Sequence, residues 1–269
     1  MAVNLHLYDH ELKSLERSTI FWAIGLAGLA AGFLCLYPLF ANDIGTAKDV
    51  IDKFPPTFKQ LFDINIDRFT SVIGFFSYLF NFILLAGSIQ ALSLGLRELS
   101  KEETEKTVDF LLVKPLSRSD VVTAKLLAAL TSLLAVNTVF VAVSLVTAML
   151  ISDKPLDLKA FLLVACSLFL VQLLFLALGF LLATMLKRVK SVISYSMPIV
   201  FAFFIVGALG SAIGDLDIAR LTPFKFFDTS YILDHNAYNI TYVILTPILV
   251  IIALATAYWI YRKRNIAAV

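Results

Sequence analysis

The chain offers few residues with which to do chemistry. Histidine occurs three times, as His6, His10 and His235, and none lies deep within an apolar stretch. The two cysteines, Cys35 and Cys166, each stand alone in an apolar run, so neither a disulfide framework nor metal-ligand spacing is on offer. Their plain reading is as small buried apolar residues. A nucleophile with its base, or a general acid with its partner, needs such groups gathered in one place. The Glu102-Glu103 pair comes nearest, yet it stands in a charged run rather than a sheltered one. No glycine-rich run ending in Gly-Lys-Ser/Thr is present to cradle a nucleotide phosphate. The expectation is that this chain is not itself an enzyme.

The elements around those residues are far more informative. The sequence is 59% hydrophobic and only 16% charged, against about 45–50% and about 25% in soluble domains. Six stretches carry no Asp, Glu, Lys or Arg: Ser18–Asn42, Phe69–Leu96, Leu126–Ser152, Ala160–Leu186, Ser191–Gly214 and His235–Tyr261. Each exceeds the roughly 20 residues that cross a bilayer core of about 30 Å as a helix. The expected fold is therefore all-α, a polytopic membrane protein with one transmembrane domain over residues 1–269. Its spans fall near 19–41, 69–96, 126–151, 160–186, 191–213 and 240–261.

Six spans place both termini on one side, and the basic residues choose which. Of the 22 Lys and Arg, 14 fall in the termini and in the second and fourth connections, and 8 on the opposite side. The excess lies beside span ends, so the termini are expected to be cytoplasmic. Met1–Arg17 is mixed polar and lacks the pattern of a cleavable signal. The protein is expected in the plasma membrane of a prokaryotic cell.

Residues 1–17 precede the first span. Leu5, Tyr8, Leu12 and Leu15 form an amphipathic stripe, with His6, Asp9, Lys13 and Glu16 off it. Such a helix lies in the inner headgroup layer or packs on its own bundle; the interfacial place is the expectation. On the other side, residues 43–68 are expected to form one short amphipathic helix after Pro55-Pro56. Residues 215–234 carry Phe224, Phe226, Phe227 and Tyr231, which suit an aromatic interface belt. Within the spans the polar residues are few: Asn81, Gln90, Asn137 and Gln172, with Ser and Thr, read as hydrogen-bond partners between helices. An ion-coupled transporter usually keeps ionisable groups at mid-membrane, where they are costly. None is present here, so this chain has a membrane path but no evident driving machinery.

That absence turns attention to residues 98–120, the second connection. Ser100 with Glu103 reads as a capping box, and acidic residues crowd the following turn. Thr104, Val108, Leu111 and Leu112 share one helical face, and Lys114-Pro115 ends the helix. Ser117 then caps the next helix, with Asp120 in its first turn. The acidic run, Thr107-Val108-Asp109-Phe110-Leu111-Leu112, Lys114-Pro115-Leu116-Ser117-Arg118 and the later Lys125 together resemble the inner-loop signature of permeases of the ABC-2 exporter family. His10–Leu15 is similar to that family's amphipathic helix before the first span, and Leu221–Asp228 to its last outer segment. The chain differs from the family pattern at Lys106, in place of Gly, and at Asp109, in place of Glu.

The resemblance implies a membrane subunit that binds no cofactor itself, with ATP and Mg held by a separate cytoplasmic ATPase present in two copies. It implies a second permease subunit, as homodimer or heterodimer, and membrane lipid as a further partner. No nucleic acid is expected. The helix of the second connection would seat in the ATPase, with Glu102, Glu103, Thr107, Phe110, Leu111, Pro115 and Arg118 as the coupling set. Arg188 is either a second contact or a positive-inside anchor. Export comes from the resemblance alone; the apolar spans suit a drug, a peptide antibiotic or a lipid. The alternatives are an ion-coupled secondary transporter and a non-transporting membrane scaffold.

Overall fold

The structure, a computed structural model, describes residues 5–42, 53, 55, 66–105, 118–152, 155–186, 189 and 191–263. For residues 42, 66, 67, 102–105, 118 and 216 it describes the backbone only. The expected helix after Pro55-Pro56 and Arg188 lie outside the described residues.

No strand occurs among the described residues, and six helices are long and apolar enough to cross a membrane. The chain is a multi-pass all-α membrane protein. In order, α1 runs Leu5–Cys35 and a short α2 Tyr37–Asn42. After a 3₁₀ turn at Ile66–Thr70 come α3 (Val72–Glu105), α4 (Arg118–Ile151) and α5 (Leu158–Met185). Next are α6 (Val192–Ile213), a single turn α7 (Leu216–Ala219), α8 (Thr229–His235) and α9 (Ile240–Lys263). In hydrocarbon every backbone N–H and C=O must be satisfied within the element, which is why apolar runs of this length can only be helices. The ends are set by polar side chains. Asp157 accepts from the Ala160 amide at 3.1 Å to start α5, and Asp228 accepts from Ser230 and Tyr231 to start α8. Gly214, at φ +74°, closes α6 in the left-handed region that favours glycine.

Helices α3 and α5 form the centre. They pack along one another with Phe76 stacked on Phe161 at 4.8 Å, and Gly95 and Gly179 facing across the seam. A methyl group on Gly179 would stand 2.6 Å from the Leu92 carbonyl oxygen and 3.0 Å from Gly95 Cα, so the helices touch backbone to backbone. Helix α1 lies mainly against α4, with Ala23, Leu26, Ala27 and Ala30 on its buried face, while α9 covers α5 and α6 covers α3. The other faces of α1, α6 and α9 expose Phe21, Ile24, Ile193, Ile205, Ile251 and similar side chains, as a lipid-facing surface should.

Three of the four interior carboxamides are paired across helices, as their sparse placement predicts. Gln172 of α5 accepts from Asn137 Nδ2 of α4 at 2.6 Å and donates to Gln90 Oε1 of α3 at 3.0 Å. Ser93 and Ser196 join α3 to α6 at 2.7 Å. Asn81 instead donates to the Tyr78 carbonyl of its own helix. Two expectations are corrected. Cys35 and Cys166 are both exposed, on outward faces of α1 and α5. Ser100 starts no helix, because α3 runs on through Glu105 and the Ser100 hydroxyl donates to Leu96 O one turn back.

The segment expected to be an interfacial helix is the first part of α1, which is unbroken from Leu5 to Cys35. Leu15 is buried, Tyr8 and Leu12 are half-buried, and Leu5 is exposed. The stripe therefore faces the bundle. Thirty-one residues of helix extend about 46 Å, so the charged first turns pass beyond a hydrocarbon layer of about 30 Å.

The α3–α5 seam yields a test. Gly179→Ala is expected to lower the thermal unfolding midpoint in detergent, corresponding to about 1–3 kcal/mol of overpacking. Gly28→Ala, with open space around its Cβ position, is expected to leave the midpoint unchanged.

Candidate functional site

The start of α1, the ends of α3 and α9 and the start of α4 meet at one end of the bundle. Tyr258 near the end of α9 donates to Thr123 Oγ1 at 2.9 Å, which closes the group. The coupling set predicted from sequence belongs to this end. Glu102 and Glu103 lie in the last turns of α3 and Arg118 opens α4, each described by backbone alone. Thr107, Phe110, Leu111 and Pro115 lie outside the described residues. Helix α4 begins one residue after Ser117, with Asp120 in its first turn, where that sequence expects it. The structure thus describes the two stems that present residues 106–117.

What holds those stems together is a buried group of charges. Glu11 of α1, Glu98 of α3 and Lys125 of α4 are 4%, 1% and 0% exposed. Lys125 Nζ donates to the Glu98 carbonyl oxygen and lies 3.8 Å from Glu11 Oε1. Lys101, one turn after Arg97 on α3, donates to Ser14 Oγ at 2.7 Å and lies 3.9 Å from Glu11 Oε2. Glu11 therefore stands between two ammonium groups, one from each stem. A charge removed from water is tolerated when an opposite charge stands beside it, and the two ammonium groups compensate Glu11 by ion pairing, without a hydrogen bond to its Oε2 among the described residues.

Hydroxyl groups extend the seam beyond the cluster, toward Thr131 and Ser132 of α4. Tyr8 OH lies 3.0 Å from Thr131 Oγ1, and Thr19 Oγ1 lies 2.6 Å from Ser132 Oγ. Tyr8, Ser14 and Thr19 thus join Glu11 in a polar ladder along α1. Of these residues the sequence reading singled out Lys125 within its motif, but missed Glu11, Glu98 and Lys101 as a group. The one local signal is that Glu11 occupies the i+3 place of the Tyr8, Leu12, Leu15 stripe, where an apolar residue belongs.

The opposite end is arranged differently. Arg68 is paired with Asp234 through both carboxylate oxygens at 3.2 Å, and Tyr37 and Phe40 pack against Phe75. Residues 215–235 fold back onto the bundle. Phe224 packs on Phe175 and Phe204, and Phe226 stacks on Tyr242 at 4.9 Å. Tyr238 donates to Leu163 O at 2.7 Å, and its burial holds the phenol above its ordinary pKa. A cavity of about 200 Å³ opens beside the Lys225–Asp228 ion pair. The aromatic segment is thus a folded cap more than a row of surface anchors. Among the described residues, no three His, Cys, Asp or Glu side chains gather as metal ligands.

The cluster predicts an asymmetry between variants. Glu11→Ala leaves Lys125 buried beside no carboxylate of α1, and is expected to lower stability by about 3 kcal/mol. Glu11→Gln combined with Lys125→Met removes both charges and is expected to recover most of that loss. Unfolding midpoints in detergent decide it, the single variant falling well below the double.

A comparison with curated proteins finds no match to this sequence. A family model described as ABC-2 family transporter protein matches residues 5–266, almost the full chain, from the first turn of α1 to just beyond α9. With six membrane-crossing helices in one bundle and a match of that extent, this chain belongs to the ABC-2 family of transporter proteins and is a membrane permease of an ABC transporter.

Proposed function

We propose that the chain is the membrane subunit of an ATP-driven exporter, coupled to a separate cytoplasmic ATPase through residues 106–117. The observation that carries this reading is the pair of stems. Helix α3, 34 residues long, extends about 51 Å, and its charge-free part ends at Leu96. Its last turns, Arg97–Glu105, therefore run beyond the hydrocarbon and lead into residues 106–117. The buried cluster fixes the spacing of those stems, so a force applied to the connection reaches the spans.

Phe110, Leu111 and Leu112 supply apolar area for the ATPase groove, and Glu102, Glu103, Lys114 and Arg118 set its register by charge. Binding and hydrolysis of ATP, with its Mg, occur on the partner. The excess of basic residues at this end supports a cytoplasmic side for it and for both termini. Two permease subunits, identical or sister chains, pair through their exposed apolar faces to enclose the path, and each seats one ATPase. Closure of the two ATPases then moves the helices as rigid bodies. The bundle interior, with carboxamides and hydroxyls but no charge between Leu126 and Ser152 or Ala160 and Leu186, suits an amphipathic cargo: a drug, a peptide antibiotic or a lipid.

Phe110→Asp with Leu111→Asp places charge in the docking face. The double variant is expected to insert and fold as the parent does while retaining about tenfold less ATPase on purification in mild detergent. Equal retention by parent and variant would remove this segment as the docking element.

A further inference from the structure

We infer that Glu11 and Lys125 are positioning residues for transmission: their pairing makes α1 follow the α3–α4 stems when the ATPase moves them. This rests on the reading of residues 106–117 as the docking segment. Three features carry it. First, among the described residues the ion pairs of α1 sit at one place only, where it crosses both stems; farther along, past the Thr19–Ser132 hydroxyl contact, the buried face of α1 is apolar, with Ala23, Leu26, Ala27 and Ala30. Apolar surfaces and single hydroxyl contacts can exchange neighbours as helices slide, whereas a buried ion pair cannot be drawn apart without leaving each charge unpaired.

Second, Glu11 reaches both stems at once, Lys125 of α4 at 3.8 Å and Lys101 of α3 at 3.9 Å. A displacement of either stem therefore pulls on the same carboxylate. A well-packed apolar group would serve stability as well as these charges do, so the charges fit a role in register. Third, α1 is one helix from Leu5 to Cys35 and ends against the far end of the bundle. There α2 follows, with Tyr37 and Phe40 on Phe75 and the Tyr37 hydroxyl donating to Thr70 O. A push received at Glu11 is delivered along a rigid rod to α2 and the 3₁₀ turn at Ile66–Thr70, on the other side of the membrane.

The test uses the permease purified with its ATPase and reconstituted in lipid nanodiscs. Hydrogen exchange of residues 36–42 and 66–71 is measured with and without ATP and vanadate. The parent is expected to show a nucleotide-dependent change there. Glu11→Gln with Lys125→Met is expected to keep the ATPase bound and hydrolysing, yet to lose that change. Adding Thr19→Cys and Ser132→Cys, whose native hydroxyls are 2.6 Å apart, then restores the change once the disulfide forms, because the tether replaces the ion pair. A merely structural role would not respond to the tether. A full response in the neutralised variant overturns the inference, as does a parent complex whose far end ignores nucleotide. A parent that holds no ATPase is a separate result, which overturns the functional reading and this inference with it.

Discussion

The structure follows from the cost of holding charge away from water. A lone ion in hydrocarbon is so unfavourable that the chain confines Asp, Glu, Lys and Arg to the ends of its six long helices and the segments between them. Inside the bundle, polarity is limited to neutral groups, several of them paired with one another, as Gln172 is bonded to both Asn137 and Gln90. Where charges are nevertheless buried, they are gathered: Glu11, Glu98, Lys101 and Lys125 share one site at the end where four helices meet. The same rule that makes the spans therefore also makes the strongest local constraint between them.

That constraint organises the division of labour among the helices. Helices α3 and α5 touch backbone to backbone at Gly95 and Gly179 and form the part least able to rearrange. Helix α1 is fixed to the stems by the charge cluster and the Tyr8 and Thr19 hydroxyls, while the rest of its buried face is apolar. Helices α6 and α9 are largely exposed and carry the aromatic cap of residues 215–235 on their far ends. Under the proposed coupling to a separate ATPase, this combination acts as a rigid core with levers attached at one end.

Much of this was legible in the sequence because hydrophobic length is a local property. Each charge-free stretch became a membrane-crossing helix, and the pairing of Gln90, Asn137 and Gln172 followed from their being the rare amides in apolar surroundings. The misreadings arise where tertiary burial overrides a local signal. Ser100 and Glu103 have the spacing of a capping box, but Leu96 and Leu99 are buried on the same helix. That burial draws α3 onward, and the Ser100 hydroxyl bonds within it. Cys35 and Cys166 face outward because in a membrane the exterior is as apolar as the core, so hydrophobicity alone does not say inside. Glu11 escaped notice because its partner Lys125 is remote in sequence. The coupling set itself falls mostly on residues 106–117, and its reading rests on the family motif and on the stems that present it.

The most direct measurement is native mass spectrometry of the permease taken from its own membranes in mild detergent. The account predicts a complex in which each permease chain carries one soluble subunit with a phosphate-binding glycine-rich loop. Intact, folded permease recovered repeatedly with no ATPase subunit would contradict it.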